Sequence, residues 1–167
     1  MFDTLDRLLT RVLDGLLIFL AGLLLVLLNY AVFSRFVLNA SVSWGEELPA
    51  HLLAALTFIG AAYLTRTNEH LGFDGVLTLL PTAVQRVVLT VNLTLMLLFA
   101  GCLAYFGGVA AWSFAGRNLI SIDLPVSLFR GVMPVCGAIM MLILAAKLVG
   151  LWSGRLQPAD FLPRNDG

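Results

Sequence analysis

Charged residues interrupt this chain only at long intervals. No Asp, Glu, Lys or Arg falls within 15–34, 48–65, 87–116 or 131–146, and beyond Lys147 the last run stays apolar to Trp152. A helix needs about 20 mostly apolar residues to cross a ~30 Å hydrocarbon core. The pattern therefore predicts four membrane spans, about 15–34, 48–65, 83–115 and 126–152. The first holds 13 residues of type Leu, Ile, Val or Phe, which supply roughly −6 kcal/mol of apparent insertion energy. That outweighs Asn29, which lies near one end. The apolar run is longer than the ~7–15 residues of a cleaved signal, and no small-x-small site follows, so it reads as a retained anchor.

Between the spans the polar positions predict shorter features. Leu5, Leu8, Leu9, Val12 and Leu13 repeat at helical spacing with Asp6, Arg7 and Arg11 among them. They predict an amphipathic lead-in that lies in the interface before turning into the first span. In the 66–86 loop, Asp74 can cap a short interfacial helix over 74–80, which Pro81 stops. Thr82-Ala83-Val84-Gln85 then has the pattern of a capping box opening the third span. That span carries Ala100, Ala104 and Gly108, and also Gly107, Ala111 and Ala115, each row at spacing four. Small residues at that spacing allow close helix approach, either within the chain or to a partner protein. Pro134 falls inside the fourth span, where neighbours must satisfy the freed carbonyl. The tail 153–167 is polar. The architecture expected is a single all-α membrane domain over 1–152, four helices in one bundle, followed by the tail.

Composition strengthens this reading. Of 167 residues, 60% are hydrophobic and 12% charged, against about half and a quarter in soluble domains. Lys and Arg divide seven to three between the two faces: Arg7, Arg11, Arg66, Arg86, Lys147, Arg155 and Arg164 against Arg35, Arg117 and Arg130. The positive-inside rule then places both termini and the 66–86 loop in the cytoplasm. The formal net charge is zero, and no basic run suggests nucleic acid. Cys102 and Cys136 fall inside spans and read as packing residues, not a loop disulfide.

Candidate chemistry collects at the span ends. "SWGEELPAHLL" sets two acids before the second span. Ser43 and Glu46 fit a capping box, Trp44 lies at interface depth, and Glu47 lies near the positive end of the helix dipole. Arg35 ends the first span on the same side and can pair with either acid. Capping with an ion pair, a contact site for another subunit, and acid–base catalysis are the three readings, the last without a substrate-pocket motif beside it. Pro49 implies a kink or a helix start at Leu48. His70, next to Glu69 and near Asp74, is either a locally bonded loop histidine or a contact residue. Lys147 can snorkel to the inner surface. None of the acids, lysines or arginines falls at mid-depth, where ion-coupled transporters carry binding groups. His51 and His70 lie at opposite faces, unlike a haem ligand pair. No zinc spacing, nucleophile elbow, P-loop or dinucleotide fingerprint is present.

Three segments in order carry a resemblance: "FSRFVLNASVSWGEEL" with Arg35, Trp44, Glu46 and Glu47; "FIGAAYLTRTNEHLGFDGVLTLLP" with Gly60, Ala61, His70, Asp74 and Pro81; and "SIDLPVSLFRGVMPVCGAIMM" with Pro125 and Pro134. Together, over nearly the whole chain, they resemble the small membrane subunit of tripartite ATP-independent periplasmic (TRAP) transporters, the DctQ-like proteins. Pro49 and the Pro-Val-Cys-Gly order at 134–137 depart from that pattern. The resemblance implies no enzyme and no cofactor. It implies an accessory subunit of a sodium-coupled importer of organic anions in a bacterial inner membrane. The partners would be a large DctM-like membrane subunit, which binds the sodium, a periplasmic substrate-binding protein, and membrane lipids. Arg35, Trp44, Glu46, Glu47, His70 and Asp74 become subunit-interface or structural candidates. Arg117, Asn118 and Asp123 become candidates for contact with the periplasmic protein. The alternative is a stand-alone homo-oligomeric transporter or channel.

Overall fold

The structure is a computed structural model that describes residues 2–67, 80–154 and 156, with side chains described at Arg11 and from Leu13 onward. His70, Asp74 and the expected 74–80 helix lie outside the described residues. Within them the chain is all-helical, with no strand. The helices are α1 (Phe2–Phe36), α2 (Glu47–Thr67), α3 (Thr82–Ser113), α4 (Val126–Arg130) and α5 (Val132–Trp152). Four stretches are long and apolar enough to cross a membrane: Leu13–Phe36, Glu47–Thr67, Thr82–Ser113 and Val126–Trp152.

The lead-in does not turn into the first span. α1 is one uninterrupted helix of 35 residues, roughly 50 Å at 1.5 Å per residue, so it overruns the hydrocarbon core. It lacks proline, and Gly15 and Gly22 meet no neighbour that a Cβ would strike, so nothing breaks it. It stops where Ser34 donates its hydroxyl to the Ala40 carbonyl, the Ala40 amide donates back to Ser34 at 3.1 Å, and Asn39 takes a left-handed φ of 51°. Asparagine tolerates that region better than most residues.

α2 begins at Glu47, one residue before the expected start. Pro49 is then its third residue, inside the first turn, where no intrahelical N–H is missed. Pro49, Leu52, Ala55, Ile59, Ala62 and Thr65 are buried, a single stripe at spacings of three and four. α3 begins after Pro81, whose side chain makes no cap bond. The Gln85 side chain donates to the Leu80 carbonyl at 2.9 Å, so the expected capping box gives way to a bond of different sense. The fourth span is divided at Gly131, where the backbone stays helical (φ −65°, ψ −22°) and the Gly131 amide still donates to the Ser127 carbonyl at 2.8 Å. Pro134 lies in the first turn of α5 and has no N–H to offer the Arg130 carbonyl, which accounts for the division.

The core lies between α3 and α5, the most extensive helix pair, with α2 against α5 and α1 docked chiefly on α2. Ile59, Ala62, Leu89, Leu93, Ala100, Cys136, Met140, Leu144 and Leu151 form it. Two glycines set the spacing. A Cβ on Gly137 would lie 2.7 Å from the Ala104 amide nitrogen, and one on Gly107 would lie 3.0 Å from Pro134. The small-residue seam therefore follows Ala100, Ala104 and Gly107. It takes members from both expected rows and leaves Gly108 with nothing within 4 Å. Backbone-to-backbone approach of this kind is how helices associate where lipid removes the hydrophobic drive between them. Cys136 is buried and Cys102 exposed, both as free thiols.

Candidate functional site

The turn that opens α2 and the 114–125 loop meet at one end of the bundle, and most of the candidate residues collect there. Gly45 permits the tight turn: a Cβ on it would sit 3.0 Å from the Val42 side chain and 3.2 Å from Ala31 on α1. Trp44 stacks on Tyr30 with ring centroids 5.8 Å apart and planes within 7°. Its depth is thus fixed by a neighbour on α1 as well as by preference for the interface.

The two adjacent acids go separate ways. Glu46 pairs with Arg35 at 3.3 Å, with side chains 90% and 62% exposed. Its carboxylate is directed to α1 and not back to the Ser43 amide, so the expected capping box does not form. An exposed pair of this kind contributes ~0–1 kcal/mol. Glu47 turns instead to the far loop. Its carboxylate accepts from the Ile120 amide at 3.1 Å, from the Ser121 amide at 3.0 Å, and from the Ser121 hydroxyl. Charge-assisted bonds to backbone amides are among the stronger ones. Ser121 was absent from the candidates, because nothing local in the sequence marks a partner 74 residues away.

The loop so held is also braced internally. Asn118 donates to the Asp123 carboxylate, and Asn118 and Pro125 form an isolated bridge. The Leu119 amide donates to the Leu124 carbonyl at 2.8 Å, and the Val126 amide to the Arg117 carbonyl at 3.0 Å. Leu119 is buried, and its neighbour Ile120 is 99% exposed. Asn118 and Asp123 are thus brought together, while Arg117 is directed elsewhere: its guanidinium lies 5.3 Å from the Phe114 ring centroid, and that of Arg130 only 3.6 Å from it. His51 donates from Nδ1 to the Glu47 carbonyl at 2.8 Å and meets Phe129 edge-on at 5.4 Å.

At the opposite end, Lys147 donates to the carbonyls of Thr65 and Arg66, the latter at 3.1 Å. It crosses from α5 to cap the last turn of α2, where a cation also favours the negative end of the helix dipole. Along α1, α2 and α5 above it runs an apolar groove of ≈ 1040 Å³ lined by Leu13, Leu16, Ile59, Val135, Ile139 and Leu142 among others. Among the described residues no three His, Cys, Asp or Glu side chains converge as a metal site would require. The arrangement can hold two loops and four helices in fixed relation, and it presents broad apolar faces.

Comparison with known proteins gives that arrangement a context. The profile of a family described as "Tripartite ATP-independent periplasmic transporters, DctQ component" matches residues 24–154. A protein of Pseudomonas aeruginosa, "C4-dicarboxylate TRAP transporter small permease protein DctQ", is 34% identical over 88 residues. The match covers 52% of this chain and 42% of that relative.

Proposed function

The chain belongs to the DctQ family of tripartite ATP-independent periplasmic transporters, a transporter component and not an enzyme, and we propose that it acts as the small membrane subunit that braces the large transport subunit of such an importer. The chain is a multi-pass membrane protein. In the proposed complex it sits in the bacterial inner membrane with both termini in the cytoplasm, so the clasp at Glu47 faces the periplasm. The large subunit carries substrate and sodium. A periplasmic binding protein delivers an organic anion, and the relative's name suggests a C4-dicarboxylate.

The observation that carries this reading is where the polar groups sit. The charged side chains lie at or beyond the ends of the apolar spans, and those of Glu47 and Lys147 hold a loop and a helix end in place. The spans offer lipid or a partner mainly apolar side chains. On α1 these include Ile18, Phe19, Leu25, Val26, Phe33 and Phe36. Carriers bind their ions with polar groups inside the membrane, so a bundle with no acid, lysine or arginine at mid-depth among the described residues suits a scaffold. Arg35, Trp44, Glu46 and Glu47 fix the geometry of the periplasmic end in this proposal. Arg117, Asn118 and Asp123 are available there to the binding protein, and His70 and Asp74 to partners at the cytoplasmic face.

Gentle solubilisation of native membranes and pull-down through a C-terminal tag tests the proposal. A stoichiometric large polytopic membrane protein is expected to travel with the chain. Recovery of the chain alone, or only with copies of itself, would overturn the proposal and favour a stand-alone transporter. In the intact complex, Glu46→Gln with Glu47→Gln is expected to weaken subunit association or uptake. If both stay normal, the acids have no part in assembly.

A further inference from the structure

A second, smaller cleft opens beside the clasp. It measures ≈ 290 Å³ and is lined by Ala50, His51, Ala54 and Phe58 of α2, Ala110 of α3, Phe129 and Arg130 of α4, and Met133 of α5. Ala50, Ala54 and Phe58 are spaced by four, so this wall descends α2 by about 12 Å. The cleft is polar at its mouth and apolar below.

The cation at the mouth is uncompensated. Neither Arg130 nor Arg117 has an anionic partner among the described residues, whose ion pair is Arg35–Glu46. Both guanidiniums lie against one ring, Phe114. The Arg130 guanidinium lies over the ring at 3.6 Å from its centroid, and a guanidinium stacked on an aromatic face keeps its in-plane N–H donors for a bidentate anion. The Arg130 guanidinium, held at a partly buried ring without a counter-ion among the described residues, favours binding of one.

We propose that this cleft binds a single membrane phospholipid, its phosphodiester held by the edge of Arg130 and one acyl chain lying along Ala50, Ala54 and Phe58. Charge complementarity selects the phosphodiester, and the depth of the apolar wall selects a lipid. A soluble anion has no use for about 12 Å of hydrocarbon wall, and a periplasmic protein cannot reach down it. The lipid would bridge α2, α3, α4 and α5. This site is independent of which transport complex the chain serves.

Native mass spectrometry of the purified full chain, delipidated and then titrated with phosphatidylglycerol in detergent, reads the site directly. One tightly held phospholipid per chain is expected. Arg130→Gln is expected to lower its occupancy at least fivefold, and Arg130→Lys to keep part of it. Ala54→Phe is expected to lose it with the arginine intact, because the ring fills the chain groove. Arg86→Gln, at the other end of the bundle, is expected to leave occupancy unchanged. Wild-type chain with no retained lipid, equal loss in Arg86→Gln, or displacement by millimolar inorganic phosphate would each overturn the proposal. So would an Arg130→Gln chain that keeps its lipid but loses the large subunit on pull-down, since the guanidinium would then serve a partner's carboxylate.

Discussion

At Glu47 one carboxylate accepts three hydrogen bonds from a loop more than 70 residues away, while its neighbour Glu46 makes one exposed pair. The two acids should therefore respond differently to loss of charge. Glu47→Gln keeps the shape but replaces one acceptor oxygen with a donor facing the Ile120 or the Ser121 amide, leaving that amide without its acceptor. Amide exchange at Ile120 and Ser121 is expected to speed about tenfold or more, because local opening governs protection in loops. Hydrogen-exchange mass spectrometry of the 114–125 peptide reads this, and unchanged protection would mean that backbone bonds within the loop suffice. Glu46→Gln is expected to change thermal stability by no more than ~1 kcal/mol, within the scatter of a detergent melt. Sequence marked both acids but could not separate them, since adjacent residues share every local signal and differ only in what folds against them. Trp44 is similar. Its interfacial role was legible from residue type, whereas its stacking on Tyr30 depended on the turn at Gly45.

Among the helices, the α3–α5 seam is the most sensitive to side-chain volume. Gly137→Ala would put a methyl 2.7 Å from backbone on α3, where no side chain can rotate away, so the helices must separate. A loss of ~1–3 kcal/mol is expected, the usual cost of overpacking, measured by denaturant or thermal unfolding in detergent. Gly108→Ala, one position from the buried Gly107, has open space and is expected to be neutral or slightly stabilising through helix propensity. If both behave alike, the close approach at Gly137 is not what holds the pair. Spacing alone flagged the glycines and alanines of α3, but not which of two overlapping rows meets α5. The seam runs 100, 104, 107, which neither spacing-four row contains. The split of the fourth span also escaped the sequence pattern. Proline announces that a hydrogen bond is missing, and the fold chooses whether to kink, break or insert a partner. Here the backbone stays helical through Gly131, and the span is divided only by the bond that Pro134 cannot make.

For the molecule as a whole, the arrangement is a packed three-helix core with α1 laid along one side. α1 meets chiefly α2, and its most apolar stretch contains no fully buried residue. In a membrane this is stable without further protein, because lipid accepts Phe19, Val26 and Phe33 as readily as a partner would. The same face is the natural one to exchange lipid for a large subunit. Single tryptophan substitutions at Ala21 or Gly22 are expected to reduce recovery of that subunit severalfold if α1 is the contact, with little effect on the unfolding of the chain itself. Equal recovery would move the interface to α3, where Leu95, Leu98, Phe99 and Phe106 are exposed.

The sequence by itself determined that this is a four-span membrane protein of the DctQ family with its charges at the span ends. Both are one-dimensional properties: length and hydropathy decide insertion, and ordered local motifs carry kinship. Tertiary structure alone decided the pairings. It sent Glu47 to Ser121 and Lys147 to the end of α2, chose Gly137 and Gly107 as the points of contact, and gathered Arg117 and Arg130 at Phe114. Those choices depend on which faces of the helices meet, and in lipid that is set by small differences in close packing and by hydrogen bonds between distant segments, which no local pattern encodes.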